Sequence, residues 1–432
     1  MCLFIGELSH KVKRLFYMLG IIIVFSLSNN FVFAQGLNFP LGNPTGTGGA
    51  GNARTDSDNF FIRNNLAGLT EIPLNDEEEN SSIRTKADKG SWRFNGEMRL
   101  LAFRHTRKYT YYNEKPTFEN TSLTPNFTGE MTYTSANHRF GFGIGTYQII
   151  NFSNRLKLDE PVLGDVINTF ETQINSSDIA IGAAVRLHKK LSVGGAFIFG
   201  RAFLNFEEPG GPLVLQRLSV DSFGAPGLSA SVHYRPTSFL SFGANYKSKR
   251  KYSLSGELKE SPGRFSYLPP RDKIQVETEF ETPTIAEVGL ELKPFRKLLI
   301  AADFRFYDYT ATLQYPFNLT RPDGGYVYAF FNPQYLFALD VHSFHIGGKY
   351  SLSDKTSVQF GVTTNSNTTN FLRRDLKDLG VVFSGAVSRR VKDQWLTVGF
   401  AALPGRTRTE YSYLDNSRDR GFLFSIGLRM KQ

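Results

Sequence analysis

The chain has 432 residues, a formal net charge of +10, 14% aromatic and 21% charged residues, 39 Phe, 19 Tyr, 39 Gly and a single Cys. A mean hydropathy of -0.27 excludes a helical membrane protein, which needs repeated runs of about 20 apolar residues. The low charge and abundant aromatics exclude general disorder, leaving a large antiparallel β protein, with a transmembrane barrel as the best-fitting class.

The first residues read as a targeting signal. Lys11, Lys13 and Arg14 precede the apolar run Leu15–Leu27, and Val32-Phe33-Ala34 places small residues at a cleavage site. Cleavage after Ala34 removes Cys2 and, with the three cations and Glu7, lowers the net charge from +10 to +8. The mature chain then has no thiol chemistry. An exported basic chain favours anionic ligands or lipid surfaces. No basic-aromatic recognition motif is present, so no nucleic-acid partner is assigned.

Residues 35–90 do not alternate. They hold a Gly-rich run that includes Gly48 and Gly49, then Arg54, Phe60, Phe61, Arg63, Asn65, Leu66, Ala67, Gly68 and Leu69. Two readings stand: a flexible tail, or a plug inside a barrel. Gly suits tight packing in a confined lumen, and the four apolar residues Phe60, Phe61, Leu66 and Leu69 gain nothing in a solvated tail. No Lys-Ser/Thr follows the glycines, so the run is a poor phosphate loop.

From residue 91 onward, period-two alternation dominates. Trp92, Phe94, Met98, Leu100 and Ala102 share one face, against Arg93, Asn95, Glu97 and Arg99. Further along, Ile179, Ile181, Ala183, Val185 and Leu187 oppose Asp178, Gly182 and Arg186. At the end, Phe422, Phe424, Ile426, Leu428 and Met430 oppose Ser425, Gly427, Arg429 and Lys431. Strands are expected over 91–112, 123–136, 138–152, 171–188, 190–207, 221–235, 238–256, 274–293, 297–314, 335–351, 354–365, 378–390, 394–413 and 420–431. Short turns at Asn137, Lys189, Pro236-Thr237, Pro294-Phe295, Ser353 and Val391-Lys392-Asp393 alternate with mostly long loops. This is the pattern of an outer-membrane barrel with periplasmic turns and external loops. The expected architecture is all-β: a 14-stranded antiparallel transmembrane β-barrel over 91–432, a hatch or plug over 35–90 and a signal peptide over 1–34.

No residue is assigned to catalysis, and no cofactor or metal is assigned. His342 and His345 are three apart, which puts them on opposite faces of a strand, a poor metal pair. His138, His188 and His233 lie at or near turns, and nothing marks one Ser–His pair among many serines. Asp303 and Arg305 share a face and are expected to pair across the lumen as structural charges. Arg54 and Arg63 are candidates for a ligand carboxylate, with salt bridges to wall acids the more economical reading.

Together these segments resemble the long-chain fatty acid outer-membrane transporter family (FadL/TodX type). The resemblance is carried by Gly48-Gly49-Ala50-Gly51-Asn52-Ala53 through Asn65-Leu66-Ala67-Gly68-Leu69, by Ser192-Val193-Gly194-Gly195-Ala196 and by Gly243-Ala244-Asn245-Tyr246-Lys247-Ser248. Thr282-Pro283 leading to Val288-Gly289-Leu290, and Ile300-Ala301-Ala302-Asp303-Phe304, add to it. It implies a monomeric barrel plugged by an N-terminal hatch, in the outer membrane of a Gram-negative cell. It implies capture of hydrophobic small molecules such as long-chain fatty acids outside, and lateral release into outer-membrane lipid. One position departs from the family: its Asn-Pro-Ala reads Asn65-Leu66-Ala67 here, which frees φ and restores an amide donor. A channel for small polar solutes, or a surface-binding barrel acting through the loop Tyr315–Pro333, are the competing expectations.

Overall fold

Alternating sequences form strands whose two faces differ in chemistry, and in a bilayer every backbone amide of such strands must find a partner. The computed structural model meets both demands with a closed wall. It describes residues 47, 50–56, 58–71, 90–109, 117–157, 169–209, 214–262, 271–308, 319–327, 340–365, 380–410 and 414–431. The expected signal segment 1–34 and Gly48 and Gly49 lie outside the described residues.

The wall begins with β1 (Ser91–Tyr109), β2 (Thr117–Thr134), β3 (Phe140–Lys157), β4 (Thr169–His188) and β5 (Leu191–Pro209). Three wall strands follow in two pieces each: β6 (Val214–Phe223) with β7 (Gly227–Tyr234), β8 (Leu240–Lys247) with β9 (Arg250–Pro262), and β10 (Arg271–Thr282) with β11 (Thr284–Phe295). β12 (Leu298–Asp308) continues the wall, and the two-residue strands β13 (Leu319–Thr320) and β14 (Tyr326–Val327) form a small hairpin beside β10. The wall ends with β15 (Val341–Ser353), β16 (Thr356–Asn365), β17 (Gly380–Val391), β18 (Gln394–Glu410) and β19 (Leu414–Lys431). Neighbours pair antiparallel throughout, and β19 pairs β1 from Arg93↔Lys431 to Tyr109↔Leu414. The result is a closed 14-strand barrel, as the turn spacing predicts.

Most of the wall keeps its apolar face toward lipid. Ile181, Phe197, Leu228, Phe400 and Phe422 are exposed on the outer surface. Arg93, Asn95, Glu97 and Arg99 line the interior of β1, and Asp178 and Ser425 do the same on β4 and β19. At the end of the barrel that carries the short turns, Trp92, Tyr133 and Phe142 pack edge-to-face and tilted, with centroids 5.1–5.3 Å apart. Such an aromatic group suits a membrane–water interface.

The three divided strands differ from the sequence expectation of unbroken strands over 221–235, 238–256 and 274–293. Each break shifts the alternation by one position. In β6 the even residues Leu218 and Val220 face inward, whereas in β7 the odd residues Ser231 and His233 do. The interior residues change likewise from Lys247 to Arg250 across β8–β9, and from Thr282 to Ile285 across β10–β11. Most apolar residues on both sides of each break sit at even positions, with Phe223 and Ile285 among the exceptions, so periodicity alone reads one strand. A one-residue slip sends the same parity to the opposite face. Toward the turns the wall is apolar outside and polar inside. Beyond the breaks it is polar outside, with Lys251, Ser253, Glu277 and Glu279 exposed, and apolar inside.

The lipid-facing assignment has a direct test. Phe197 stands opposite Ile181 and Leu228 in the outer band. Phe197→Arg is expected to lower the unfolding free energy by about 2–4 kcal/mol, the range for a cation near the bilayer midplane. Ser192→Ala, inside, should cost less than half as much. Denaturant titration of the barrel in vesicles measures both.

Candidate functional site

The interior has two zones. Residues 50–56 and 58–71 occupy the zone on the turn side. Phe61, Ile62, Leu66 and Leu69 pack with Tyr147, Ala180, Ala184, Ala196 and Ile198 of the wall, and Phe60 is buried too. The segment ends in a short 3₁₀ turn, Leu66–Glu71, buried along its whole length. Leu66, at the position where the family has Pro, takes the first place in that turn.

Backbone approach is close enough that the wall needs glycine. A Cβ on Gly243 would lie 2.1 Å from the carbonyl oxygen of Asn52, and one on Gly347 would lie 2.3 Å from that of Thr47.

Hydrogen bonds and charges fix the segment to the wall. The Gly51 and Asn52 amides donate to Asp303 at 2.7 and 3.0 Å. The Thr55 amide and hydroxyl both donate to Glu291, at 3.0 and 2.9 Å. The Ile62 amide donates to Glu130 at 2.9 Å and the Ala67 amide to Ser231 at 3.0 Å. Asn65 donates to the carbonyls of Asn52 and Val232 at 2.8 and 2.9 Å, and the Gly68 amide closes back onto the Asn65 carbonyl at 3.1 Å. Glu71 pairs with Arg186 at 3.0 Å.

A buried charge chain completes the attachment. Arg54 pairs with Asp56 at 2.5 Å, Lys349 reaches Asp56 at 3.3 Å and Asp58 at 2.6 Å, and Arg429 reaches Asp58 at 2.5 Å. Burial opposes ionisation of Asp56, but the Arg54 guanidinium and Lys349 ammonium outweigh it and hold its carboxyl well below the usual carboxylate range.

The candidate roles divide accordingly. Arg54 is consumed within the segment itself, by Asp56 and by the Thr47 hydroxyl at 2.8 Å, rather than by a wall acid. Arg63 is half-buried, and burial together with Arg99 and Arg305 lowers its pKa to about 10. Its carbonyl accepts from Lys247 at 2.5 Å. Asp303 and Arg305 meet at 3.3 Å side by side on β12 rather than across the lumen, because residues two apart share a face. Arg305 also reaches Glu287 of β11 at 3.1 Å. His342 faces outward beside Phe304 and Phe306. His345 faces inward, between the hydroxyls of Ser343 at 2.9 Å and Thr363 at 3.2 Å. His233 approaches the Ala53 carbonyl at 3.3 Å. Of the loop Tyr315–Pro333, residues 319–327 are described.

The second zone lies beyond the breaks, where the inner face of the wall carries a buried apolar lining beside Thr278. Leu204 stands opposite Val220, and Leu218 opposite Leu258, all buried. Leu254 and Val276 join them on the inner face. Sequence reasoning missed this lining, because its signal is apolar residues on the inward parity, visible only once the breaks are known.

Between the zones one ladder of the wall is interrupted. The ladder joining β6–β7 to β8–β9 has register pairs up to Ser229↔Lys247 on one side and from Asp221↔Ser255 on the other. Residues 222–228 and 248–254 between them make no register pair in that ladder. The outer lip is apolar, with Phe223, Leu228 and Tyr246 exposed.

The family model described as Outer membrane protein transport protein (OMPP1/FadL/TodX) matches residues 30–377. The fold is similar to that of a FadL homologue from Pseudomonas aeruginosa, with TM-score 0.68 and 15% identity over 92% of this chain and 98% of that one. It is similar to the toluene transporter TodX of P. putida, with TM-score 0.64 and 14% identity over 89% and 97%. It is also similar to the Ralstonia pickettii toluene transporter TbuX, with TM-score 0.62 and 14% identity over 89% and 96%. No curated protein matches the chain in sequence. A closed 14-strand barrel, an internal segment bonded to its wall and a family match over most of the chain place this protein in the FadL/TodX family of outer-membrane transport proteins.

Proposed function

We propose that this barrel carries hydrophobic compounds, long-chain fatty acids foremost, passively across the outer membrane. The apolar lining of the inner face beyond the strand breaks carries the reading, and we read it as the wall of a chamber for the cargo. An interior built from Leu204, Leu218, Val220, Leu254 and Leu258 suits an acyl chain and repels hydrated solutes. The external loops admit the compound, and the chamber desolvates it. Residues 36–69 act as the hatch that blocks a straight aqueous path. Release runs sideways through the wall where its ladder is interrupted, driven by partition into hydrocarbon at about 0.8 kcal/mol per CH₂. The chain is exported through cleavage after Ala34 and works as a monomer. The residues of the hatch path are Gly48, Gly49, Arg54, Phe60, Phe61, Arg63, Asn65, Leu66, Ala67, Gly68 and Leu69.

The porin-like alternative requires an open polar lumen. The apolar chamber and the tightly bonded segment 50–71 speak against it, and a large steady conductance in planar bilayers would restore it.

Three outcomes test the proposal. Leu254→Asp places a charge in the chamber and is expected to cut labelled oleate uptake by at least tenfold, with barrel assembly unchanged on a heat-modifiability gel. Uptake equal to wild type would remove the chamber from the path.

Asp58→Asn strips a partner from both Lys349 and Arg429. Breaking a buried pair costs about 3–5 kcal/mol, so the hatch loosens. Trypsin should then cut after Arg54 or Arg63, and ion conductance should appear. An intact, silent barrel would deny the charge chain its anchoring role.

The pH dependence follows from the sign for Asp56. A carboxyl whose folded pKa is depressed contributes stability that is fully present above the unfolded value, about 3.9, and lost as pH falls below it. Hatch protection from protease should therefore hold from about pH 8 down to about pH 5 and weaken only in stronger acid.

A further inference from the structure

Where the ladder between β6–β7 and β8–β9 is interrupted, side chains back the wall from inside. Arg250, the first residue of β9, lies against it and extends past β7 and β5 to Asp178 of β4. Its two terminal nitrogens donate to the two carboxylate oxygens at 2.6 and 2.7 Å. Both side chains are almost wholly buried, at 1% and 0% exposure. Tyr252 is the next inward residue of β9, fully buried, with its hydroxyl 3.3 Å from that of Ser176. The guanidinium carbon of Arg250 stands 5.6 Å from the Tyr252 ring centroid.

Glycines make room for these groups. A Cβ on Gly224 would meet the Tyr252 ring at 2.5 Å, and one on Gly227 would meet the Arg250 stem at 2.5 Å. A Cβ on Gly200 would touch Asp178, Arg250 and Tyr252 at 2.4–2.5 Å. The two strands across the gap are otherwise held by few bonds. The Ala225 amide donates to the Lys251 carbonyl, the Ser248 amide to the Leu228 carbonyl and the Leu228 amide to the Ser248 hydroxyl, each at 2.9 Å.

Outside this closure the lip is apolar, and on the chamber side Leu254 follows directly along β9. The bidentate pair and the Tyr252 ring thus stand between the apolar inner lining and the apolar outer lip. An ion pair of this kind is directional and does not compete with lipid for apolar contact.

We infer that Asp178 and Arg250, with Tyr252 as the filling group, form a latch that holds the side port of the barrel shut, and that the cargo passes to lipid when this pair parts. Asp178 and Arg250 are then positioning residues for release and not ligands of the cargo. The inference rests on the transport reading above and adds to it the place and the moving part.

Two double substitutions test it, with oleate as the probe. Asp178→Asn/Arg250→Met removes both charges together, so neither is left buried alone. In proteoliposomes, transfer of bound oleate from the protein to the bilayer is expected to become at least tenfold faster, while the dissociation constant for oleate stays within twofold. Ala225→Cys/Lys251→Cys, in a Cys2→Ser background, staples the two bonded strands across the gap without touching the latch. The oxidised form is expected to transfer oleate at less than a tenth of the wild-type rate, and reduction should restore it.

The stapled protein keeps the test alive where the double charge variant does not assemble. Unchanged transfer in the oxidised staple overturns the port. Normal transfer in an assembled charge variant overturns the latch and assigns the pair to wall stability. If the wild-type protein transfers no oleate at all, the transport reading itself falls.

Discussion

Inside hydrocarbon, a backbone amide without a partner costs several kcal/mol. The architecture depends on that constraint. It forces the wall strands into a closed ladder, with β19 returned to β1. It also makes any interruption of the ladder a place where side chains must substitute for backbone pairing. The interruption between β6–β7 and β8–β9 is such a place, backed by Arg250 and Tyr252. Breaks in three successive strands place the interruption where the wall changes its chemistry.

That change has a simple origin. Below the breaks, lipid contacts the outer face and a bonded polypeptide fills the interior, so apolar residues point out and polar ones point in. Above them, polar residues cover the outside and an apolar cargo would occupy the interior, so the preference inverts. A shift of one residue in each of the three divided strands performs the inversion there with little change to the alternation in sequence. The same few residues at the breaks therefore define the floor of the chamber, the upper limit of the segment 50–71 and the interrupted part of the wall.

The interior segment is held in a different way from the wall. Its apolar side chains supply contact area, while its specificity of placement comes from wall carboxylates that accept its amides, Asp303, Glu291 and Glu130. Charge-assisted bonds to backbone are strong and geometrically strict. Glycines of the wall, such as Gly243 and Gly347, let the chain approach to backbone contact. Packing and bonding of this sort fix one arrangement, and the charges at Asp56, Asp58, Lys349 and Arg429 tie its far side to β15 and β19.

The wall is legible in the local pattern of the chain. Alternation at Ile179–Leu187 and Phe422–Met430 marks individual strands, and the contrast of short turns with long loops sets their number. These signals are local, so they survive without knowledge of neighbours. The Gly- and Phe-rich character of residues 35–69 likewise marked a segment that belongs in a confined space. The tertiary structure alone decided which face each strand presents beyond the breaks, which residues of the wall receive the interior segment, and that Arg250 meets Asp178. Parity says nothing about direction once a residue is inserted, and a residue on β9 finds its partner on β4 only because closure of the barrel and the gap in β6–β7 bring them together. Long-range pairing of this kind has no periodic trace in the chain.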